Sequence, residues 1–262
     1  TDAMLNYIFI KQKPSVTKED MEDLVAEAED VHEDQYTAES IAIMKEALQN
    51  AKNELAKYDT EEYDAFTFQL KYLELEEAIS KLVTYKDSIT SGIPWVDTKG
   101  ERIQAHGGGM WSDENTGTYY WYGEDKTYGY RPLRGVRCYS SKDLYNWKDE
   151  GLALTAIQSM DEFETEGLIR DLYGHLTLAE QEDIFKDLDV NSAVMERPKV
   201  IYNEKTNKWV MWFHADGPTA TSTANYAKAS AGVAISDSPT GPFTYIKSYR
   251  LDQDPTGKTT NQ

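Results

Sequence analysis

One pattern of strands occurs twice in the C-terminal part of this chain and restricts the fold more than any other feature. Each copy runs from an aromatic strand to a Gly-Val strand, a Ser-rich turn and an aromatic outer segment. The copies are offset by about 90–97 residues, the first at 117–124, 135–141 and 144–147, the second at 208–214, 232–237 and 241–245. Four-stranded sheets repeated in this way are the blades of a β-propeller. The sequence therefore predicts about two blades.

A propeller closes with at least about four blades, which is more than these two copies supply. The chain ends in a polar loop, residues 252–262, without a terminating strand or helix. We therefore expect that the chain is a fragment, or that further polypeptide supplies the remaining blades.

The segment 158–190, between the two copies, has a helical pattern instead. Thr177 to Glu180 has the pattern of a capping box, and Ile184, Phe185 and Leu188 follow at helical spacing. We interpret this segment as an insertion between blades. It either rims a binding cleft or lies on the surface without a role in binding, and the sequence leaves both open.

Residues 1–90 have a different character, with almost no glycine or proline and with apolar residues at helical spacing. Thr17 and Thr37 can cap two helices, while Asp59 and Glu62 can open a third. Each helix has one apolar stripe, which for the third includes Phe66, Leu70, Leu73, Ala78, Ile79 and Leu82. A helix of this kind cannot bury its stripe alone, so the sequence predicts a three-helix bundle.

The composition changes near Ser91–Pro94, where we place the boundary between residues 1–90 and the predicted propeller part, residues 91–262. The chain is thus predicted to be multidomain, with an α region followed by a β region. The stretch Met4 to Ile10 is either a short strand or the tail of a preceding domain.

Composition excludes several classes of function. The net charge of −19 would repel phosphate backbones, so we expect no nucleic-acid partner. No apolar run approaches the roughly 20 residues of a membrane helix. Cys138 is the only cysteine, so no internal disulfide exists, and its alternating surroundings favour a core position over a reactive thiol. No Cys/His cluster has the spacing of a zinc site, and no metal or other cofactor is predicted.

Two candidate site residues belong to the first copy. His106 precedes three glycines, which allow close approach of a ligand or of neighbouring strands, and the histidine is expected to point inward. Glu124 ends an aromatic strand, where a carboxylate can bind sugar hydroxyls beside aromatic rings. The alternatives are a core histidine beside a turn and a strand end that turns into solvent.

Two further candidates belong to the second copy. Pro198 cannot donate a ladder hydrogen bond and therefore marks a strand start or edge, which places Glu196 at the mouth of an inner strand. Tyr226 precedes the Gly-Val strand and offers a phenol over the same opening. A structural ion pair with Arg197 or Lys199, and an ordinary core tyrosine, are the alternatives. Asp216 and Asp237 have the sequence setting of turn residues.

The helical region resembles the FIVAR module over about 65 residues. The matching stretches are 36–40, 47–51 and 75–82. Such modules lie beside carbohydrate-active domains in bacterial surface proteins. The resemblance therefore implies a spacer or adhesion accessory, and an extracellular or bacterial cell-surface location.

The region after the boundary resembles glycoside hydrolase family 43, within it the branch of exo-β-1,3-galactanases. The resemblance rests on IQAHGGG at 103–109, YYWYGEDK at 119–126, VRCYSSKDLYNW at 136–147, ERPKVIYN at 196–203, WVMWFH at 209–214, NYAKA at 225–229 and GVAISDSPTGPFTY at 232–245. These motifs span almost all of residues 93–250. The long segment 158–190 departs from the family's usual short connection.

The resemblance implies a five-bladed propeller that hydrolyses galactan or arabinogalactan-type polysaccharide with inversion. It places Glu124, Glu196 and Tyr226 on the terminal galactose, with His106 lining the same subsite. Where many members carry a catalytic Asp-Pro motif, this chain has His106 and two glycines. The residue that modulates the acid's pKa and the general acid itself are expected after Gln262, so the catalytic residues stay unknown. Some members hold calcium on the propeller axis, but the sequence does not indicate it.

These sequence features lead to three hypotheses for the function. The first is an exo-acting glycoside hydrolase on β-1,3-galactan. The second is a non-catalytic carbohydrate-binding or surface-adhesion protein, which the helical module and the missing Asp-Pro motif favour. The third is a propeller scaffold for protein partners.

Overall fold

A computed structural model describes residues 15–252, which form two compact units that divide between Arg102 and Ile103. The predicted segment at Met4 to Ile10 lies outside the described residues. The division falls later than the boundary expected after residue 90, because the intervening segment contacts the helical unit. The Thr37 hydroxyl donates a 2.5 Å hydrogen bond to the carbonyl of Thr98, and Gly100 packs against Val83.

In the helical unit, α1 (Lys18–Glu29), α2 (Ala38–Leu55) and α3 (Ala65–Ser80) pack around one apolar core. The predicted caps of the first two helices are confirmed, since Thr17 forms a capping box with Asp20 and Thr37 accepts from the backbone N–H of Ser40. These caps satisfy N–H groups that have no partner inside a helix. The core consists of Met21, Leu24, Val25, Ala28, Ile41, Met44, Ala51, Phe68, Leu75 and Ala78.

The predicted start of the third helix was wrong. Asp64, rather than Asp59 or Glu62, caps α3 by accepting from the backbone N–H of Thr67. In the helix that starts after Asp64, Phe68 and Leu75 are buried, while Phe66 is exposed. Tyr58 and Phe68 pack together with ring centroids 5.1 Å apart, so the segment before α3 forms a tight turn against the helix core.

The second unit contains two four-stranded antiparallel sheets, each with its strands in chain order. We call them sheet 1 and sheet 2. Sheet 1 consists of β1 (His106–Asp113), β2 (Thr118–Glu124), β3 (Gly135–Ser141) and β4 (Lys148–Thr155). Sheet 2 consists of β5 (Val194–Asn203), β6 (Lys208–Asp216), β7 (Ser230–Ser236) and β8 (Thr244–Tyr249). The repeat in the sequence thus corresponds to one four-stranded unit per copy.

The first strand of each sheet has a bulge at the same position of the register. In sheet 1 the pairing shifts between His106 and Gly109, and in sheet 2 between Glu196 and Lys199. The first residue inside each bulge has a left-handed backbone. This residue is Gly107, after His106, with a φ of 58°, and Arg197, after Glu196, with a φ of 53°. A bulge re-aims the side chains beside it, so each sheet directs its first-strand residues differently from a regular strand.

The insertion between the sheets is helical, as predicted. A short 3₁₀ helix (Met160–Phe163) leads to α4 (Leu168–Tyr173) and α5 (Leu178–Leu188), and Thr177 forms the expected capping box with Glu180. Ile184 and Leu188 of α5 are buried in the core that both sheets share, while Phe185 is partly buried. The insertion is therefore part of the core.

Sheet 1 and sheet 2 bury one continuous apolar core. Tyr122 is fully buried and lies edge-on to Phe243, and its hydroxyl donates to the carbonyl of Pro239. The core position predicted for Cys138 is confirmed, and burial raises the pKa of its thiol, which disfavours a reactive thiolate. None of the helices within residues 15–252 has the length and apolar content that a membrane crossing needs.

Candidate functional site

Two carboxylate–histidine pairs lie at the bulged ends of the sheets. In sheet 1, His106 on the first strand pairs with Glu124 on the second, and their Nδ1 and Oε2 atoms are 3.3 Å apart. In sheet 2, Glu196 occupies the first strand and His214 the second, again with Nδ1 and Oε2 3.3 Å apart. The two sheets therefore present the same pair with the residue types exchanged.

Glu124 is buried and surrounded by hydrogen-bond donors, with a residue exposure of 2%. Lys126 places its Nζ 2.9 Å from Oε2. The backbone N–H of Arg197, from sheet 2, donates to Oε1 across 3.1 Å. The left-handed φ at Arg197 is costly for a residue with a side chain. The bulge thus aims a backbone donor of one sheet at the carboxylate of the other.

Glu196 is also buried, with 8% exposure, and it orients an aromatic ring. The Tyr226 hydroxyl donates to its Oε1 across 2.8 Å, and the Tyr226 ring stacks on His214 with centroids 5.9 Å apart. The hydrogen bond to Glu196, together with partial burial, raises the pKa of Tyr226. The phenol therefore stays protonated and oriented at neutral pH.

His214 connects Glu196 to a second carboxylate, Asp216. Its Nε2 lies 2.9 Å from Asp216 Oδ2, so the ring is held by carboxylates on both sides. Burial opposes ionisation of Asp216, but backbone N–H donors that include Gly217 and Lys228, together with His214, lower its pKa below the usual range. The interpretation of Asp216 as a turn residue was wrong, because it is a buried strand residue.

A cavity of about 70 Å³ opens beside Glu196 and Tyr226. Tyr130 stands at its rim with its ring exposed, and the Nζ of Lys126 lies 4.1 Å from the ring centroid. The lining residues are Lys126, Tyr130, Arg131, Leu133, Val194, Glu196, Asn225 and Tyr226. A carboxylate, an ammonium group and phenol rings in one cavity suit a small ligand with many hydroxyl groups, because each can bind or stack on part of it.

The structure brings the four candidates from the sequence together. Glu124, Glu196 and Tyr226 belong to one group of contacts, and His106 touches Glu124 with its own side chain 64% exposed. The alternatives of a core His106, a solvated Glu124 and a core Tyr226 were wrong, because the histidine and tyrosine are exposed and the glutamate is buried. The side chains that contact the Glu196 carboxylate are those of His214 and Tyr226. Lys199 does not pair with it, because its Nζ donates to the carbonyls of Gly108 and Pro198.

His214, Asp216, Lys126 and the backbone of Arg197 also contribute to the site, and the sequence predicted none of them as a site residue. The sequence repeat could have identified His214 as a site residue, because it occupies in the second copy the position that Glu124 has in the first. No such signal exists for the Arg197 N–H, since its direction depends on the backbone of the bulge.

Metal ligation does not explain this group of residues. Within residues 15–252 no three His, Cys, Asp or Glu side chains are arranged to hold a metal ion. Each carboxylate of the site instead has protein donors as partners, so the donor set does not fit a resident cation.

No family model and no curated protein matches the chain. Solved structures do match it. A family 43 β-1,3-galactosidase in complex with galactodeoxynojirimycin is 42% identical, with a TM-score of 0.45. The chain resembles glycoside hydrolase family 43. An exo-β-1,3-galactanase from Phanerochaete chrysosporium with bound galactose is 36% identical (TM-score 0.45), as is one from Clostridium thermocellum (TM-score 0.44).

The matches to these family 43 structures are partial in both directions. They cover 63%, 62% and 63% of this chain, in the same order. The chain in turn spans 39%, 30% and 28% of the matched structures. The likeness of the helical unit to the FIVAR module stays a prediction.

Proposed function

We propose that the native polypeptide carrying these residues is an exo-acting glycoside hydrolase that releases terminal galactose from β-1,3-galactan. The observation that carries this proposal is the proximity of two buried carboxylates from two sheets, Glu124 and Glu196. The backbone N–H of Arg197, the residue after Glu196, donates to Glu124, and Glu196 lines the cavity together with Tyr226, which donates to it. We assign these three residues, with His106 at the edge, to binding of the terminal sugar. The identities of the similar structures support the choice of galactan.

The chemistry of the site suits a pyranose held by its hydroxyl groups. A buried carboxylate accepts two hydrogen bonds from neighbouring sugar hydroxyls, and charge-assisted bonds of this kind are worth about 1.5–3 kcal/mol each. Lys126 and Tyr226 hold the carboxylates in fixed orientations before the ligand arrives. Binding of the terminal sugar therefore costs little reorganisation of the protein.

In the proposed reaction, water attacks the anomeric carbon while the bond to the leaving oxygen breaks. One acid protonates the leaving oxygen, and one base takes a proton from water. An inverting enzyme separates the two groups by roughly 6.5–9.5 Å, leaving room for the water. We assign neither role to Glu124 or Glu196, because protein hydrogen bonds already hold both carboxylates as acceptors.

A comparison of the two sheets supports a propeller with further blades. Tyr122 and Cys138 of sheet 1 pair with each other and are fully buried. The equivalent pair in sheet 2, Trp212 and Val233, lines an open apolar groove, and Trp212 is 40% exposed. The face that is covered in sheet 1 is thus left uncovered in sheet 2 by the residues that the structure describes. We propose that a third four-stranded sheet packs there.

The proposal extends to the setting of the enzyme. The FIVAR-like pattern of the helical unit supports an extracellular or bacterial cell-surface location, where plant arabinogalactan and related polysaccharides occur. In this setting the helical unit acts as a spacer beside the carbohydrate-active unit.

Galactose release from β-1,3-galactan by the native polypeptide tests the proposal. We expect Glu124→Gln and Glu196→Gln to lower kcat/KM by roughly 10- to 100-fold each, because a lost hydrogen bond to a charged group costs about 1.5–3 kcal/mol. Glu204→Gln removes the same charge from an exposed turn and should leave kcat/KM unchanged. Absence of galactose release from β-1,3-galactan and arabinogalactan would refute the hydrolase.

A second candidate function is carbohydrate binding without hydrolysis. It is favoured by the first strand of sheet 1, which begins with His106 and Gly107 where many family 43 enzymes carry a catalytic Asp-Pro motif. A pure binding protein would retain sugar in the Glu196→Gln variant and would show no turnover. Calorimetry with galactose, run beside the release assay, separates these two functions.

A further inference from the structure

The loop that carries Tyr226 has little apolar support of its own. This loop, residues 217–229, joins β6 to β7, and none of its residues from 218 to 229 is buried. The Tyr226 side chain is itself 56% exposed. Contacts at the ends of the loop must therefore hold the phenol over Glu196, because a loop without buried side chains samples many conformations.

The C-terminal end of this loop is held through Lys228. Its backbone N–H donates to Asp216 Oδ1 across 2.8 Å, and to the carbonyl of Gly217 across 3.2 Å. Its Nζ donates to Asp187 Oδ1, and the two side chains form a partly buried ion pair. Lys228 lies two residues after Tyr226 in the chain, so its position limits where the tyrosine can go.

Asp187 belongs to the last turn of α5, within the insertion. Its second oxygen, Oδ2, accepts from the hydroxyl of Tyr245 and, across 2.9 Å, from the hydroxyl of Ser248, both on β8. The side chain is 12% exposed. Burial and the neighbouring charge of Asp187 raise the pKa of Tyr245, so this phenol remains a donor to the carboxylate.

The helix that carries Asp187 is itself fixed. Leu188, the next residue, is fully buried in the core, and Ile184 is buried one turn earlier. The hydroxyl oxygen of Tyr173 in α4 accepts from the backbone N–H of Tyr245 across 2.8 Å, which gives the insertion a second attachment to β8. Asp187 therefore presents its carboxylate to Lys228 from a rigid support.

We propose that Asp187 is a positioning residue for sugar binding. Through Lys228 it fixes the end of the loop, and the fixed loop keeps the Tyr226 hydroxyl on Glu196. The insertion at 158–190, which departs from the usual short connection of the resembled family, thus supports the binding site and is not a surface ornament. The proposal rests on the proposed function in one respect, that the ligand of this site is a sugar.

The first experiment follows amide hydrogen exchange of the native polypeptide without any sugar. In the Asp187→Asn variant we expect faster exchange in the loop 217–229, with unchanged exchange in β5 and β6. Lys228→Met breaks the same contact from the other side and should give the same result, which covers the case in which one variant folds poorly. Asp183→Asn is the matched control, because Asp183 lies one turn earlier, is exposed and pairs with Lys186.

The second experiment measures galactose binding by calorimetry. We expect Asp187→Asn to weaken binding roughly 3- to 10-fold, the size of one hydrogen bond. Adding Tyr226→Phe to Asp187→Asn should cost no more than Tyr226→Phe alone, because both changes remove the same contribution. If the loss of binding free energy in the double variant equalled the sum of the losses in the two single variants, Asp187 would not act through Tyr226.

The outcomes separate this inference from the proposed function. Unchanged exchange in both Asp187→Asn and Lys228→Met would overturn the positioning role, whatever the sugar binding. Faster loop exchange combined with no binding of galactose by the unaltered protein would support the positioning role and count against the proposed sugar.

Discussion

Gly107 and Arg197 have the same left-handed backbone conformation in their two sheets, but their side chains differ completely. A Cβ atom at Gly107 would lie 2.7 Å from Oε1 of Glu124, so the carboxylate occupies the space that a side chain would need. At Arg197 the backbone N–H points to that same oxygen. The glycine makes room for Glu124, and the arginine backbone binds it.

Replacing Gly107 with alanine tests this relation at the residue scale. We expect Gly107→Ala to lower the free energy of unfolding by about 1–3 kcal/mol, through the left-handed backbone and the contact with Glu124. Urea unfolding measures the change.

The control for this variant is Gly117→Ala. Gly117 has a φ of 63°, but no atom would lie within 4 Å of an added Cβ. The Gly117→Ala variant should therefore lose only the free energy of unfolding that comes from the left-handed backbone conformation. Equal losses in the two variants would mean that the contact with Glu124 contributes nothing.

At the scale of elements, the repeat in the sequence was enough to predict the sheets but not their bulges. The alternation of aromatic residues marked the strands, and Pro198 marked an irregular strand start, so Glu196 was expected near an opening. The left-handed φ of Arg197 could not be predicted, because nothing in its residue type favours that conformation. The residues by themselves therefore predicted separate candidates, and only the family resemblance implied that Glu124, Glu196, Tyr226 and His106 share one subsite.

Helix α3 shows the same limit in the helical unit. Several residues before it can cap a helix, including Asp59 and Asp64, and local sequence does not choose between them. The choice depends on the burial of Phe68 rather than Phe66, which is a property of the packed core. Helices α1 and α2 were predicted well because their caps directly precede regular apolar stripes.

The free face of sheet 2 gives a prediction at this scale. If a further sheet covers Trp212 in the native polypeptide, Trp212→Ala should destabilise it by about 3–5 kcal/mol, as for a buried tryptophan. The same change in the chain of 262 residues should cost less than about 1 kcal/mol, since Trp212 is there partly exposed. Thermal or urea unfolding of both proteins gives the comparison.

Ile201→Ala serves as the reference for Trp212→Ala. Ile201 is 56% exposed on β5 and does not line the groove. Its replacement should change the stability of either protein by less than about 0.5 kcal/mol. A small and equal effect of Trp212→Ala in both proteins would exclude a covering sheet.

At the scale of the whole molecule, residues 15–252 contain two apolar cores that share no residue. One belongs to the helices and the other to the sheets with the insertion. Because hydrophobic burial provides most of the stabilisation of a domain, damage to one core should remain within its own unit.

Met44→Ala tests the separation of the cores. Met44 is 1% exposed in the helical core, and its truncation should cost about 2–5 kcal/mol. Hydrogen exchange should accelerate in helices α1 to α3, and the strands β1 to β8 should keep their rates. Ile43→Ala, at the adjacent and exposed position of the same helix, should change neither. Faster exchange in the strands would show that the units unfold together.

Each sheet contributes one histidine–glutamate pair to the site, with the two residue types in opposite strand positions. This division of the carboxylates between the sheets has a thermodynamic consequence. Neither sheet supplies both carboxylates, so a sugar that engages Glu124 and Glu196 binds only when the sheets are docked. Such a ligand shifts the docking equilibrium toward the joined state by an amount set by its concentration and affinity. The bound sugar would then link the two sheets, and the protein saturated with such a sugar would resist separation of its sheets better than the sugar-free protein.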